Sequence, residues 1–229
     1  MAGGPFRCQA AAHRYSSGMH ADYALCVESG LPVRCPAFAM EGLRVKESDD
    51  ELDAALAGLG VELREKWKGI ELSRITGIQP VREIYRAMGL DPTRHRPSSE
   101  ALLRRVLRGE SLYRVNTLVD ALNYCSLKYL VPYGLYDLEK IRPPVTLRRG
   151  REGEGYPGIR KEYVNVAGRL CLADESGPFG NPSSDSDRTR IETSTTRALV
   201  VPFLPPAMAE TAASELVTET ARTLRRFAG

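Results

Sequence analysis

The run VNTLVDALNYCSLKYLVPYGLYD, residues 115–137, contains the pattern that decides the fold of this chain. From Val115 to Leu130 the residues are apolar nearly all the way round a helix, which indicates a helix buried between other layers. After Pro132 the sequence changes to short β-branched or alternating runs separated by glycine and proline. The sequence therefore predicts an α+β fold, with central helices packed against a largely antiparallel sheet. The predicted strands are 144–148, 163–166, 169–173 and 198–204.

Four further helices are predicted from their start and stop signals. Apolar residues recur at intervals of three and four between a capping residue or proline at one end and, in most cases, a glycine at the other. The predicted helices cover 48–60, 80–89, 98–109 and a last segment that begins at Pro206. The polar stretch 174–189 between strands is predicted to be a long loop.

The length and composition are those of one globular domain. The chain has 229 residues, of which 42% are hydrophobic and 27% charged, and this is enough to bury a substantial core. Residues 1–34 show no sustained period and are predicted to form a loosely ordered N-terminal segment, followed by a single domain at 35–229. No apolar run is long enough to cross a bilayer and no secretory signal is evident, so a cytoplasmic protein without membrane contact is expected.

The charge distribution favours a nucleic-acid partner more than the total charge does. The net charge is only +3, but basic residues are concentrated in 81–115 and 142–161. Arg104, Arg105 and Arg108 either form a solvated helix face or contact phosphate, which arginine binds with a forked pair of donors.

Familiar catalytic signatures are missing from the sequence. It contains no phosphate-binding glycine loop, no zinc-protease motif and no nucleophile elbow. The five cysteines form no C-x-x-C pair and are expected to be reduced thiols. We therefore predict no metal and no cofactor.

A polar stripe on the buried helix is the most informative feature of the residues themselves. Asn116, Asp120 and Asn123 recur at i, i+4 and i+7, and buried polar groups are retained when they are hydrogen-bonded or useful. Two interpretations remain open, a structural network that ties the helix to strand backbones and the floor of a polar pocket. Asp185 and Asp187 similarly suit either turn chemistry or a pocket lining.

With these segments in view, the chain resembles the B-three/B-four tRNA-binding domain of the phenylalanyl-tRNA synthetase β subunit, and especially stand-alone proteins built from that domain. The resemblance rests on the run from "IYRAMGLDPTRHRPSSEALLRRVLRGESLYRVNTLVDALNYCSLKYLVPYGLYDLEKI" to "VTLRRGREGE". It covers about 81–205, with a weaker match from Leu43 onward.

The resemblance implies a function in tRNA editing, because in the synthetase this domain hydrolyses tyrosine that is wrongly attached to phenylalanine tRNA, in a pocket without a metal. The segment "VDALNY" matches the family pattern V-D-x-x-N-Y, which places Asn123 in the pocket and Asp120 just behind it. The segment "REGE" matches a loop before the pocket strands and contributes Glu154. Two departures are visible, since Gly134 stands where the family has a histidine and the family's pocket glutamate falls near Leu199 or Val200.

The leading hypothesis is a tRNA-binding protein that acts on the aminoacylated 3′ end, with ester hydrolysis in trans as its reaction. The rival hypotheses are a non-catalytic RNA-binding module and an enzyme that uses the same pocket for a small amino-acid-like metabolite. DNA is not expected as a partner. The residues predicted to bind substrate are Asn116, Asp120, Asn123, Glu154, Asp185, Asp187 and Arg188, and those predicted to contact tRNA phosphate are Arg104, Arg105 and Arg108.

Overall fold

A computed structural model describes residues 6–9, 21–159 and 161–229, with the backbone alone at 6–9 and 161. The helices of this part are α1 (Asp50–Lys66), α2 (Gln79–Ala87), α3 (Ser98–Leu107), α4 (Thr117–Tyr129) and α5 (Glu210–Ala228). The strands are β1 (Phe6–Gln9), β2 (Ala21–Asp22), β3 (Leu25–Glu28), β4 (Phe38–Glu41), β5 (Tyr133–Asp137), β6 (Thr146–Arg149), β7 (Gly155–Gly158), β8 (Lys161–Asn165), β9 (Leu170–Asp174), β10 (Gly177–Asn181), β11 (Ser184–Asp185) and β12 (Arg197–Pro202).

Two main sheets and a helical layer build the fold. One sheet has the strand order β1-β3-β6-β9-β10-β11, the other has the order β2-β4-β12-β5, and β7 and β8 form a separate hairpin. Among the described strands every pair is antiparallel except β3 with β6. The α+β prediction with largely antiparallel sheet is therefore confirmed.

The four-stranded sheet is the middle layer, because both of its faces are covered. Along β12, Ala198 and Val200 belong to the core shared with the helices. Leu199 and Val201 belong to the second core, shared with the six-stranded sheet and α2. Successive side chains of a strand point to opposite faces, so one strand contributes to both cores.

Helix α4 is buried as its composition predicts. It packs against α1, α3 and α5, and Leu118, Ala121 and Leu127 have no solvent-exposed surface. The next strand, β5, pairs with β12 on one side and is the edge of the middle sheet. Helix α4 and strand β5 thus line one cavity between the layers.

Several boundaries differ from the predictions. Gly60 does not end α1 but lies inside it, where an added Cβ would be 3.8 Å from a methyl carbon of Val106 on α3. The last helix begins at Glu210 rather than at Pro206. The predicted loop 174–189 contains β10, β11 and a turn of 3₁₀ helix instead.

The predicted N-terminal segment, residues 1–34, lies partly outside the described residues. Within the described part, β3 pairs in parallel with β6, and its Leu25 is buried. Cys26 is disulfide-bonded, so the expectation of five reduced thiols is wrong at that position. Cys35, Cys125 and Cys171 are free and buried.

No helix in the described ranges combines the length and the apolar character that crossing a membrane requires.

Candidate functional site

A cavity of about 220 Å³ lies between the start of α3, the buried helix α4, strand β5 and the segment around β11. We call it the α4 cavity. Its wall is mostly apolar, with a few polar groups pointing inward, which is the usual composition of a small-molecule site. The lining residues are Ser98, Leu102, Val115, Val119, Leu122, Asn123, Ser126, Tyr133, Leu135, Ile159, Asp185, Arg190 and Ile191.

Asn123 is the member of the polar stripe that reaches this cavity. Its side chain is half-buried, and it has no hydrogen-bond partner among the residues that the structure describes. An amide offers both donors and an acceptor, so Asn123 is free to bond a ligand. The neighbouring Ser126 is already engaged, since its hydroxyl donates to the Val131 carbonyl at 2.7 Å.

Asn116 and Asp120 hold the start of α4 instead of lining the cavity. Asn116 is the N-cap, and its Oδ1 accepts from the Val119 amide at 3.0 Å. The Asp120 carboxylate accepts from the Val115 amide at 3.3 Å and lies 3.4 Å from Arg114. Burial raises the pKa of Asp120, and Arg114 and the amide bond act against that rise. Asn116 and Asp120 of the polar stripe therefore form a structural network, and Asn123 lines the cavity.

Asp185 is the acidic member of the lining. It is half-buried, and its Oδ1 accepts from the Tyr136 hydroxyl at 2.7 Å. Burial raises the pKa of Asp185 to about 7, while hydrogen bonds from the Tyr136 hydroxyl and the Leu135 amide lower it part of the way. At neutral pH this carboxyl therefore exists in both protonation states.

Tyr136 is held in a slot made by two glycines. A Cβ at Gly134 would meet Cε2 and Cζ of the ring at 2.6 Å, and a Cβ at Gly180 would meet Cζ at 2.6 Å. The ring also makes an edge-to-face contact with Phe179, with centroids 4.8 Å apart. Gly134 shares the face of β5 that carries Tyr136, whereas Leu135, on the opposite face, lines the α4 cavity.

The two positions at which the resemblance implies a histidine and a glutamate therefore have no room for a polar side chain. A side chain at 134 would collide with the Tyr136 ring and would point away from the α4 cavity. Leu199 and Val200, near which the resemblance implies a glutamate, are completely buried in the two cores.

The other residues predicted to bind substrate are paired elsewhere. Glu154 forms a two-pronged ion pair with Arg148, at 2.6 and 2.9 Å. Arg188 pairs with the buried Asp174 at 2.9 Å. Asp187 is exposed and pairs with Arg190 at 3.0 Å. None of the three is among the residues that line the α4 cavity.

The arginines of α3 differ from one another. Arg105 is occupied, because it donates to the Ser111 carbonyl at 2.8 Å and stacks over the Tyr113 ring at 4.2 Å. Arg108 is exposed and lies 3.7 Å from Glu110, a surface pair of small energetic value. Arg104 has no ion-pair partner within the described part of the chain. Arg104 and Arg108, one helical turn apart, are the members available to an anion.

Sequence reasoning missed Tyr136, Arg190 and the rim residues Val115 and Ile159, which are 46% and 42% exposed. The available signal for Tyr136 was its position two residues after Gly134, because residues i and i+2 of a strand share a face and a glycine there leaves room for a large ring. That signal becomes readable only once β5 is known to be a strand.

Comparison with known proteins gives a consistent set of similarities. The family model described as the B3/4 domain matches residues 80–226. The phenylalanine–tRNA ligase β subunit of Brucella abortus (strain 2308) is 34% identical over 83 residues, which are 36% of this chain and 10% of that protein. The uncharacterized protein YhzB of Bacillus subtilis is 24% identical over 110 residues, or 48% of this chain and 46% of that one.

Among solved structures, an N-terminal fragment of the phenylalanyl-tRNA synthetase β subunit from Pyrococcus horikoshii aligns with a TM-score of 0.38 and 18% identity, covering 48% of this chain and 40% of that one. The chain spans about a tenth of the length of the Brucella ligase subunit and just under half of the Bacillus protein.

Proposed function

This chain belongs to the B3/4 domain family, and from that premise we propose that it binds the aminoacylated end of a tRNA in the α4 cavity and hydrolyses a wrongly attached aminoacyl ester. The observation that carries the proposal is the pairing of an apolar cavity with two polar groups, Asn123 and Asp185, at its wall. The apolar wall suits an amino-acid side chain, and the polar groups suit the ester and the α-amino group.

Asn123 is proposed to bond the aminoacyl group directly. Its amide has no partner among the described residues, so a ligand bond replaces a bond to water rather than one to protein. Two exposed apolar residues, Val115 and Ile159, stand at the cavity wall, where they offer an apolar surface to the terminal base of the tRNA. On α3, Arg104 and Arg108 are proposed to contact backbone phosphate.

The proposal is tested with a panel of tRNAs that carry correct and incorrect amino acids, including tyrosine on phenylalanine tRNA. Complex formation and ester loss are followed on the same samples. We expect tighter binding of charged than of uncharged tRNA, together with loss of at least one wrong ester.

The matched variants are Asn123→Ala and Asn165→Ala, because Asn165 is an exposed asparagine on β8 outside the α4 cavity. Losing one hydrogen bond to the ligand costs about 1–2 kcal/mol, or roughly tenfold in affinity. Asn123→Ala is expected to lose that factor and Asn165→Ala to bind as the wild type does. Retardation of tRNA without ester loss would indicate a binding module, and neither signal across the panel would leave the metabolite enzyme.

A further inference from the structure

The α4 cavity contains one group suited to take a proton from water near neutral pH. Among the described residues that line it, Asp185 has the only carboxylate, and there is no histidine, lysine or cysteine. Arg190 does not give up its proton in proteins, and the Tyr133 hydroxyl is bonded to Thr220 at 2.9 Å. We infer that Asp185 is the general base that activates water for ester hydrolysis in this cavity, an inference that rests on the proposed function.

The orientation of the Asp185 carboxyl is fixed by two donors from β5. The Tyr136 hydroxyl donates to Oδ1 at 2.7 Å, and the Leu135 amide is close enough to lower the pKa of the carboxyl. The slot between Gly134 and Gly180 in turn holds the Tyr136 ring in place. A carboxylate has about four acceptor positions, so two donors leave room for a bond from water. A general base must be held in such a fixed geometry to act efficiently.

This arrangement also accounts for the glycine where the resemblance implies a histidine. Position 134 points away from the cavity and is closed by Tyr136. Asp185 reaches the cavity from β11, a strand of the other sheet, across the free edge of β5. The proton acceptor therefore comes from a different element of the fold, and Tyr136 is its positioning residue.

Burial, rather than neighbouring charge, sets the pKa of Asp185. The titratable groups beside it are Tyr136 on β5 and Tyr156 on β7, and Arg190 lines the same cavity. Arg190 is already bonded to Asp187 and Glu192, and the residues of α3 and α4 that line the cavity are uncharged. The pKa of Asp185, raised by burial to about 7, leaves a large fraction of carboxylate at neutral pH, where a general base works best.

The step balances with water as the only co-reactant. The Asp185 carboxylate takes a proton from water as the water oxygen attacks the ester carbonyl carbon. The tetrahedral intermediate then collapses, the bond from the carbonyl carbon to the ribose oxygen breaks, and that oxygen receives the proton from Asp185. The products are the free amino acid and a tRNA with its terminal hydroxyl restored, and the carboxylate is regenerated.

The test is the pH dependence of single-turnover hydrolysis, from pH 5 to 9, of the ester that the wild type cleaves fastest, corrected for spontaneous hydrolysis at each pH. The wild-type rate is expected to rise with an inflection near pH 7. Asp185→Asn, which keeps the shape of the side chain, should lower kcat by about 10²–10⁴ with a smaller change in KM. The control Asp50→Asn removes an exposed carboxylate from the first turn of α1 and should leave the profile unchanged.

Tyr136→Phe supplies a readout that a merely structural role would not change. In the wild type, the hydrogen bond from the Tyr136 hydroxyl lowers the pKa of Asp185. The variant lacks this bond, so the inflection of its pH profile should move to higher pH.

An N-acetylated aminoacyl-tRNA separates catalysis from recognition of the amino group, because it has no ammonium for Asp185 to pair with. The wild type should still cleave it, and Asp185→Asn should not.

The outcomes separate this inference from the proposed function. Charged tRNA that is bound but not cleaved overturns the general base and leaves tRNA binding intact. Cleavage with a flat pH profile, or an Asp185→Asn variant altered in KM alone, also overturns it. A protein that neither binds nor cleaves any member of the panel removes the proposed function and the inference together. If Asp185→Asn does not fold, the wild-type profile and Tyr136→Phe still decide the question.

Discussion

At the scale of single residues, the ring of Tyr136 explains why positions 134 and 180 carry no side chain. Gly134→Ala would place a methyl carbon 2.6 Å from two ring carbons, and the ring cannot yield easily because Phe179 and the bond to Asp185 hold it. Overpacking of this kind costs about 1–3 kcal/mol. We therefore expect Gly134→Ala to lower the free energy of unfolding by that amount in urea denaturation.

A second glycine provides the control for this prediction. Gly58 lies inside α1, and an added Cβ there meets nothing within 4 Å. Alanine is favoured over glycine in a helix by about 0.5–1 kcal/mol, so Gly58→Ala should stabilise the protein. If Gly134→Ala were as stable as Gly58→Ala, the Tyr136 ring would have to be free to move.

At the scale of elements, the first turn of α4 depends on its cap. The side chain of Asn116 accepts from the Val119 amide and donates to the Ile191 carbonyl at 3.5 Å. Loss of such a cap costs about 0.5–2 kcal/mol. Asn116→Ala should therefore lower stability by that amount and speed hydrogen exchange at the Val119 amide. Asn116→Ser retains a capping oxygen and should recover most of the loss. Slow exchange at Val119 in Asn116→Ala would show that the cap is dispensable.

The sequence predicted elements well where a helical period or a β-branched run marks them, and these include α4 and β12, which are buried on more than one face. Helix α2 was readable because only one of its sides is apolar. Strand β5, YGLYD, was missed because all five of its residues are buried, so no alternation marks it, and because it contains no β-branched residue. The sequence of strand β10, GPFGN, resembles a turn because it contains two glycines and a proline. Gly180 occurs in this strand because the Tyr136 ring leaves no room for a Cβ.

The candidate site was predictable to the same limited extent. Asn123 follows from the stripe on α4, because helical spacing alone gives its direction. The hydrogen bond between Tyr136 and Asp185 links the two sheets and connects residues that are 49 positions apart in the sequence. No local sequence pattern predicts such a contact. The ion pairs that occupy Glu154 and Arg188 likewise depend on tertiary neighbours.

At the scale of the whole molecule, Asp185 joins the two sheets, so its protonation is linked to global stability. Burial raises its pKa to about 7 in the folded protein, from the 3.8 of an ordinary aspartate. The folded state therefore holds this proton more tightly than the unfolded state does. By linkage, the stabilisation that protonated Asp185 contributes to the folded state is fully present below about pH 4 and is lost as pH rises through about 7. His95 has the opposite effect, because burial lowers the pKa of its imidazole below the ordinary 6.5. Its contribution to stability therefore increases as pH rises toward 6.5.

Comparison of the wild type with Asp185→Asn isolates the Asp185 contribution, because His95 and every other titrating group are common to both proteins. The difference in the free energy of unfolding, wild type minus variant, should fall steadily between pH 4 and pH 7 and level off at higher pH. Urea denaturation at intervals of half a pH unit measures it. A difference that stays constant across this window would mean that the Asp185 carboxyl titrates normally in the folded protein, and its suitability as a base at neutral pH would be lost with it.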